Sequence, residues 1–231
     1  MGATRSMTFF ILILCTVAAR GEPTRIPPDP TVLWTEDEQR LVAGGDAAKG
    51  KELAERCNHC HGENGIGIEP NVPNLAGQLA AYTYKQLQHY KADKPRSHNP
   101  MRRRVRRLSN QEMADLAAWY ASLKPAAPDL SQPEPTEAVL QLVERGDQKR
   151  EVTACAGCHG AHGEGAPIDT PALGGQKVEY FFETMKIFAV RERARDVFNS
   201  MCNITPRLTE EELLGLASYY ARLGGRKAVA K

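Results

Sequence analysis

Cys57-Asn58-His59-Cys60-His61 decides the reading of this chain, and the pattern returns as Cys155-Ala156-Gly157-Cys158-His159. Two cysteines separated by two residues and followed at once by histidine form the attachment signature of c-type haem: two thiols bond the porphyrin and the histidine reaches the iron. The spacing has a geometric cause. One helical turn sets both thiols along one edge of the macrocycle, and the next residue projects its imidazole towards the metal. Each copy has a methionine at a matching distance downstream, Met101 lying 40 residues after His61 and Met201 lying 42 after His159. The expectation is two covalently bound haem c groups, attached through Cys57, Cys60, Cys155 and Cys158. His61 and His159 supply one axial iron ligand each, and Met101 and Met201 the second. A soft, neutral sulfur opposite histidine saturates the iron, raises its potential and disfavours substrate binding, so such a centre transfers electrons. Core packing is the ordinary role of methionine, but the matched positions argue against it here. His59, His89, His98 and His162 have no counterpart in the opposite half and are assigned surface or hydrogen-bonding roles, with His98 a competitor of Met101 through its closeness in sequence.

The repeat extends outward from both motifs. Asp46 is the expected N-cap of a helix that carries Leu53 and Ala54 towards Cys57, and the glycine-rich stretch from His61 to Gly67 lets the backbone pass close to a flat ligand. Pro73-Asn74-Leu75-Ala76-Gly77-Gln78 is answered by Pro171-Ala172-Leu173-Gly174-Gly175-Gln176. Ser109 with Glu112, and Thr209 with Glu212, make capping boxes that open a closing helix in each half. Met113, Leu116, Ala117 and Tyr120 then fall on one face of the first such helix, and Leu213, Leu216, Ala217 and Tyr220 on one face of the second. Repeated segments lie 98 residues apart at Pro73 and Pro171 and 100 apart at Leu108 and Leu208, a duplication with a small insertion before the second methionine. The fold class is all-α, two tandem copies of one helical unit. Units of roughly 80 residues have thin cores, and a covalently attached macrocycle staples them.

Thr8 to Ala19 is the most apolar stretch; it follows Arg5, is too short to span a bilayer, and ends in the small residues Val17-Ala18-Ala19. It reads as a cleaved secretory signal over residues 1–19, with an uncleaved anchor as the alternative. Four of the five cysteines left after its removal sit in the haem motifs, so the exported chain does not rely on disulfides; Cys202 reads as a small buried hydrophobe. Pro23, Pro27, Pro28 and Pro30 mark an extended lead-in, and Thr35 to Val42 has helical composition without a clear apolar face. Pro125, Pro128, Pro133 and Pro135 make Lys124 to Thr136 a stiff connector. Charge is uneven: residues 44–124 hold 13 basic and 8 acidic side chains, net +5, whereas 137–224 hold 10 and 13, net −3. The run Arg102-Arg103-Arg104-Val105-Arg106-Arg107 follows Met101 directly and suggests an acidic redox partner, with a solvated helix face as the plain alternative. An exported haem protein rarely meets nucleic acid, so no nucleic-acid partner is expected.

The paired Cys-x-x-Cys-His-Gly motifs, the Pro-x-Leu-x-Gly-Gln segments and the late methionines resemble the dihaem cytochrome c4 family over about Gly44 to Leu223. The resemblance implies two class I cytochrome c domains related by pseudo-twofold symmetry, with haems close enough for electrons to pass between them. It also implies that the Pro73 and Pro171 carbonyls hold the second nitrogen of each ligand histidine. The expected organisation is signal 1–19, proline-rich extension 20–43, first domain 44–124, linker 125–136 and second domain 137–231. The implied role is a periplasmic electron carrier serving redox protein partners, a terminal oxidase or a dehydrogenase, with peripheral association at the inner membrane as a further expectation. The arginine run departs from the small and apolar residues usual in that family after the methionine.

Two other functions fit the same residues. One is a dihaem enzyme of peroxidase or thiosulfate dehydrogenase type, for which Cys202 beside Met201 would alter a distal ligand. The other is a cytochrome subunit fixed to a dehydrogenase, with the proline-rich lead-in as a docking arm. Zinc binding by the two Cys-x-x-Cys pairs is disfavoured because their separation far exceeds zinc-site spacing and leaves the methionines without purpose.

Overall fold

A computed structural model describes residues 25, 27, 34–92, 100–168, 170–193 and 198–225; the expected signal, Cys15 and His98 lie outside the described residues. Among the described residues the regular structure is helical, with two isolated β-bridges, Asp147 to Val152 and Ala166 to Thr170. The first unit runs through α1 (Glu36–Ala43), α2 (Ala47–Ala54), α3 (Asn58–His61), α4 (Ala80–Ala92), α5 (Pro100–Val105) and α6 (Asn110–Ser122). The second runs through α7 (Glu137–Glu144), α8 (Cys155–His159), α9 (Val178–Ala189), α10 (Ser200–Ile204) and α11 (Glu210–Leu223).

Both expected capping boxes form: Ser109 and Thr209 accept from the Glu112 and Glu212 amides, and those carboxylates accept from the cap amides in return. The apolar faces predicted for α6 and α11 are buried throughout and form the centre of one core in each unit. Asp46 caps α2 as expected, and its own amide donates to the buried carboxylate of Asp115 on α6 at 2.8 Å.

α1 is better integrated than its composition suggested. Thr35 caps it in a third capping box, Val42 is buried, and Trp34 packs against Tyr84 with ring centroids 5.9 Å apart. The helix packs on α6 and α4, so the segment drawn as the end of an extension is continuous with the first core. Its counterpart is α7, capped by Thr136. Pro27, further upstream, lies against the second unit, where its carbonyl accepts from Asn199 at 3.0 Å.

The two units are not identical at their starts. Asp46 precedes Cys57 by eleven residues, whereas Asp147 precedes Cys155 by eight. The shorter segment cannot make α2; it forms a 3-10 turn, Gln148–Arg150, followed by Glu151 in the left-handed region. Arg150 holds this turn, pairing with Asp147 at 2.7 Å and with both carboxylate oxygens of Glu212 at 2.7 and 2.9 Å. In the first unit α2 instead lies directly on α6, at Gly50. A Cβ there would stand 2.0 Å from the Asp115 carbonyl oxygen, a backbone atom with little freedom to yield. Gly50→Ala is therefore expected to destabilise the first unit by roughly 1–3 kcal/mol or more, read as a lowered denaturation midpoint; an unchanged midpoint would refute this packing.

The connector between the units is docked along α11 rather than standing free. The Asp129 amide donates to the Ala221 carbonyl at 3.0 Å, the Gly225 amide to Ala126 at 2.8 Å, and Arg222 to the Gln132 carbonyl at 2.7 Å. Pro125 fills the space between Gly77 and Gly225. Arg193 also bridges the units, donating to the Tyr82 hydroxyl at 2.9 Å and the Gln86 side chain at 2.7 Å.

Candidate haem sites

Each Cys-x-x-Cys-His motif forms a single helical turn. Cys60 and His61 both donate their amides to the Cys57 carbonyl, at 3.1 and 3.0 Å, and the turn stops at Gly62 with φ 68°. α8 repeats this and stops at Gly160 with φ 83°. The second cysteine of each pair, Cys60 or Cys158, is exposed, and the first, Cys57 or Cys155, is partly buried. Burial pushes the Cys155 thiol up to about 11 and raises that of Cys57. Each pair belongs to its own unit, and among the described residues no three His, Cys, Asp or Glu side chains converge as metal donors.

The histidines are buried and fixed. The His61 Nδ1–H donates to the Pro73 carbonyl at 3.1 Å, and the His159 Nδ1–H to the Pro171 carbonyl at 3.0 Å. Since a carbonyl only accepts, this contact assigns the tautomer and leaves Nε2 bare as a ligand. Burial lowers both histidine pKa values, more than the carbonyl contact raises them, and favours the neutral imidazole that binds a metal.

The loop that supplies each carbonyl is built the same way twice. Leu75 and Ala76 donate to the Gly65 carbonyl at 2.7 and 3.0 Å, and Leu173 and Gly174 donate to Gly163 at the same two distances. Gly77 donates to the Tyr120 carbonyl at 2.8 Å and Gly175 to Tyr220 at 2.9 Å, which ties each loop to the closing helix of its own unit.

Met101 lies on α5 and Met201 on α10, both partly buried and packed against the core of their own unit. Cys202 is fully buried on α10, as a small hydrophobe would be. His59 and His162 are exposed and His89 is half-buried on α4.

One further pair of residues was not singled out chemically by the sequence. The Tyr120 and Tyr220 hydroxyls are buried, Tyr120 against the Cys57 thiol and Tyr220 beside Cys155, and neither has a nitrogen or oxygen partner among the described residues. Their low exposure pushes both phenols well above their ordinary range, so each is a fixed neutral donor. A buried hydroxyl without a nitrogen or oxygen partner, at the same place in both units, fits a polar group carried by a ligand that each site holds. The thiols, the oriented neutral histidine, the apolar-packed methionine and this donor together suit haem c. Their repetition was visible in the sequence; the orphaned hydroxyls were not, because tyrosine on an apolar helix face reads as core.

Three comparisons agree with this donor set. The cytochrome c family model matches residues 47–124 and again 143–223. A cytochrome c4 from Azotobacter vinelandii is 36% identical over 187 residues, covering 77% of this chain and 89% of the relative. A thiosulfate dehydrogenase electron acceptor from Stutzerimonas stutzeri strain A1501 is 30% identical, covering 83% and 88%. The crystal structure of reduced recombinant cytochrome c4 from Pseudomonas stutzeri superposes with a TM-score of 0.70 at 30% identity, covering 78% of this chain and 99% of that one.

Proposed function

The chain belongs to the cytochrome c family, as a tandem, two-haem electron carrier similar to cytochromes c4, and from that premise we propose that it works in the periplasm, taking electrons from a dehydrogenase and passing them towards a terminal oxidase. Bound haem c supplies reversible one-electron exchange at iron. The protein's part would be to ligate each iron through one histidine and one methionine: His61 and Met101 in the first unit, His159 and Met201 in the second. The observation that carries this reading is the twofold occurrence of the same histidine-to-proline-carbonyl anchor, at 3.1 and 3.0 Å, in two units that differ at their starts. Export rests on the apolar segment at residues 8–19, and peripheral membrane contact is part of the same proposal. Among the described residues no helix is long and apolar enough to cross a membrane.

A dehydrogenase as electron donor is favoured by the likeness to the electron acceptor of thiosulfate dehydrogenase. The docking surface for an acidic partner is the arginine run. Arg103, Arg104, Arg106 and Arg107 are exposed on and just after α5, the helix that carries Met101. Charge there raises the encounter rate and is screened over roughly 8 Å at physiological salt. Neutralising Arg102, Arg103, Arg104, Arg106 and Arg107 together is expected to slow bimolecular electron transfer with the acidic partner by about tenfold or more at low salt and to flatten its salt dependence. Stopped-flow rates against ionic strength read this directly. Unchanged rates with every dehydrogenase and oxidase tried would remove the docking proposal.

A further inference from the structure

The groups that fix each histidine are themselves held by the opposite unit. The Pro73 carbonyl that accepts from His61 belongs to the Pro73–Asn74 peptide, and the N–H of that same peptide donates to Oε1 of Gln176 at 2.9 Å. Gln176 lies in the second unit and also donates from Nε2 to the Asn74 carbonyl at 3.0 Å. The mirror arrangement is complete. The Pro171 carbonyl accepts from His159, the Ala172 N–H of the same peptide donates to Oε1 of Gln78 at 2.9 Å, and the Gln78 Nε2 donates to the Ala172 carbonyl at 3.0 Å. Neither amide is free to flip, because Gln78 Oε1 accepts also from Leu79 N–H and Gln176 Oε1 from Lys177 N–H, both at 3.0 Å. Gln78 is buried.

A peptide group is conjugated, so hydrogen bonds at its two ends polarise one another. An acceptor on the N–H pushes electron density onto the carbonyl oxygen, which then accepts more strongly. A stronger bond from the histidine Nδ1–H raises the basicity of Nε2 towards its metal. We propose that Gln78 and Gln176 are crossed positioning residues: each one, through a shared peptide bond, strengthens the histidine anchor of the other unit, so that the iron potential in either unit depends on its contact with its neighbour. This rests on His61 and His159 being the iron ligands.

The sign follows. Removing a glutamine weakens the opposite histidine's hydrogen bond, lowers its donation to iron, destabilises the ferric form and raises that potential. Gln78→Leu is thus expected to shift the second unit's haem upward and leave the first in place, and Gln176→Leu to do the reverse. In the reduced, diamagnetic holoprotein, the Nδ1–H proton resonance of the opposite ligand histidine should move upfield and exchange faster with solvent. Gln86→Leu, which loses a different contact between the units, that to Arg193, serves as the neutral control and should move neither resonance. The two variants are independent, so failure of one to load haem leaves the other to decide. A shift in the glutamine's own unit, an equal shift in both units, or no shift in either overturns the proposal. Absence of two histidine Nδ1–H resonances from haem ligands in the unmodified protein would instead overturn the ligand assignment beneath it.

Discussion

Cys57→Ala with Cys60→Ala is expected to leave one haem in place of two on the denatured chain, and to cost the first unit its independent stability. The two thiols would be its only covalent hold on the macrocycle, and they stand one turn apart at the start of α3, both free of disulfides. The unit's core consists of α1, α2, α4 and α6 around Tyr84, Met113, Leu116 and Tyr120, which is a small core for its length. Loss of a native cross-link from a domain of this size costs about 2–5 kcal/mol. The second unit keeps its own core and its Arg150 ion pairs, so it should retain its own haem and lose only the support that the first unit gives it through Gln78, Tyr82 and Gln86. Intact mass after denaturation, with haem absorbance against denaturant, reads both effects. Two haems on the denatured variant would contradict the assignment of these cysteines.

Met101→Ala and Met201→Ala should each remove one of two methionine-to-ferric-iron absorption contributions and lower the potential of one haem. Axial ligands move haem potentials over a span of hundreds of millivolts, and exchange of neutral sulfur for water or an oxygen donor shifts the value downward on the order of 100 mV or more. Met101 and Met201 sit on corresponding short helices, α5 and α10, each packed against the core of its own unit, so the effects should be separate and of like size. Cys202→Ala is expected to do nothing to either band, because that side chain is fully buried among core residues. If Met201→Ala leaves the spectrum untouched while Cys202→Ala changes it, the second iron has a thiolate ligand and an enzymatic role moves forward.

Much of this molecule could be read from local signals. Capping boxes at Ser109 and Thr209, and the apolar faces of α6 and α11, depend on neighbours within a few residues, and the structure has them as written. The motif turns and the paired loops were legible because they occur twice. What escaped depends on distance in sequence. α1 looked peripheral because its burial comes from α4 and α6, which begin 37 and 67 residues after it ends. Loss of α2 from the second unit follows from a three-residue shortening whose consequence needs the Arg150 to Glu212 pairing to be seen. Gln78 and Gln176 stood in the repeated segment, yet their partners lie about a hundred positions off in the opposite unit. A glutamine that closes a turn and one that reaches a neighbouring domain are the same letter.

Both irons are expected to be saturated by histidine and methionine and so to carry electrons without binding substrate. Exposure of the fully reduced holoprotein to carbon monoxide tests it most directly, because only an iron with an open or readily vacated position takes up the gas. The visible spectrum is expected to stay unchanged by carbon monoxide at both haems; a shifted spectrum corresponding to one haem per chain would contradict saturation of both irons.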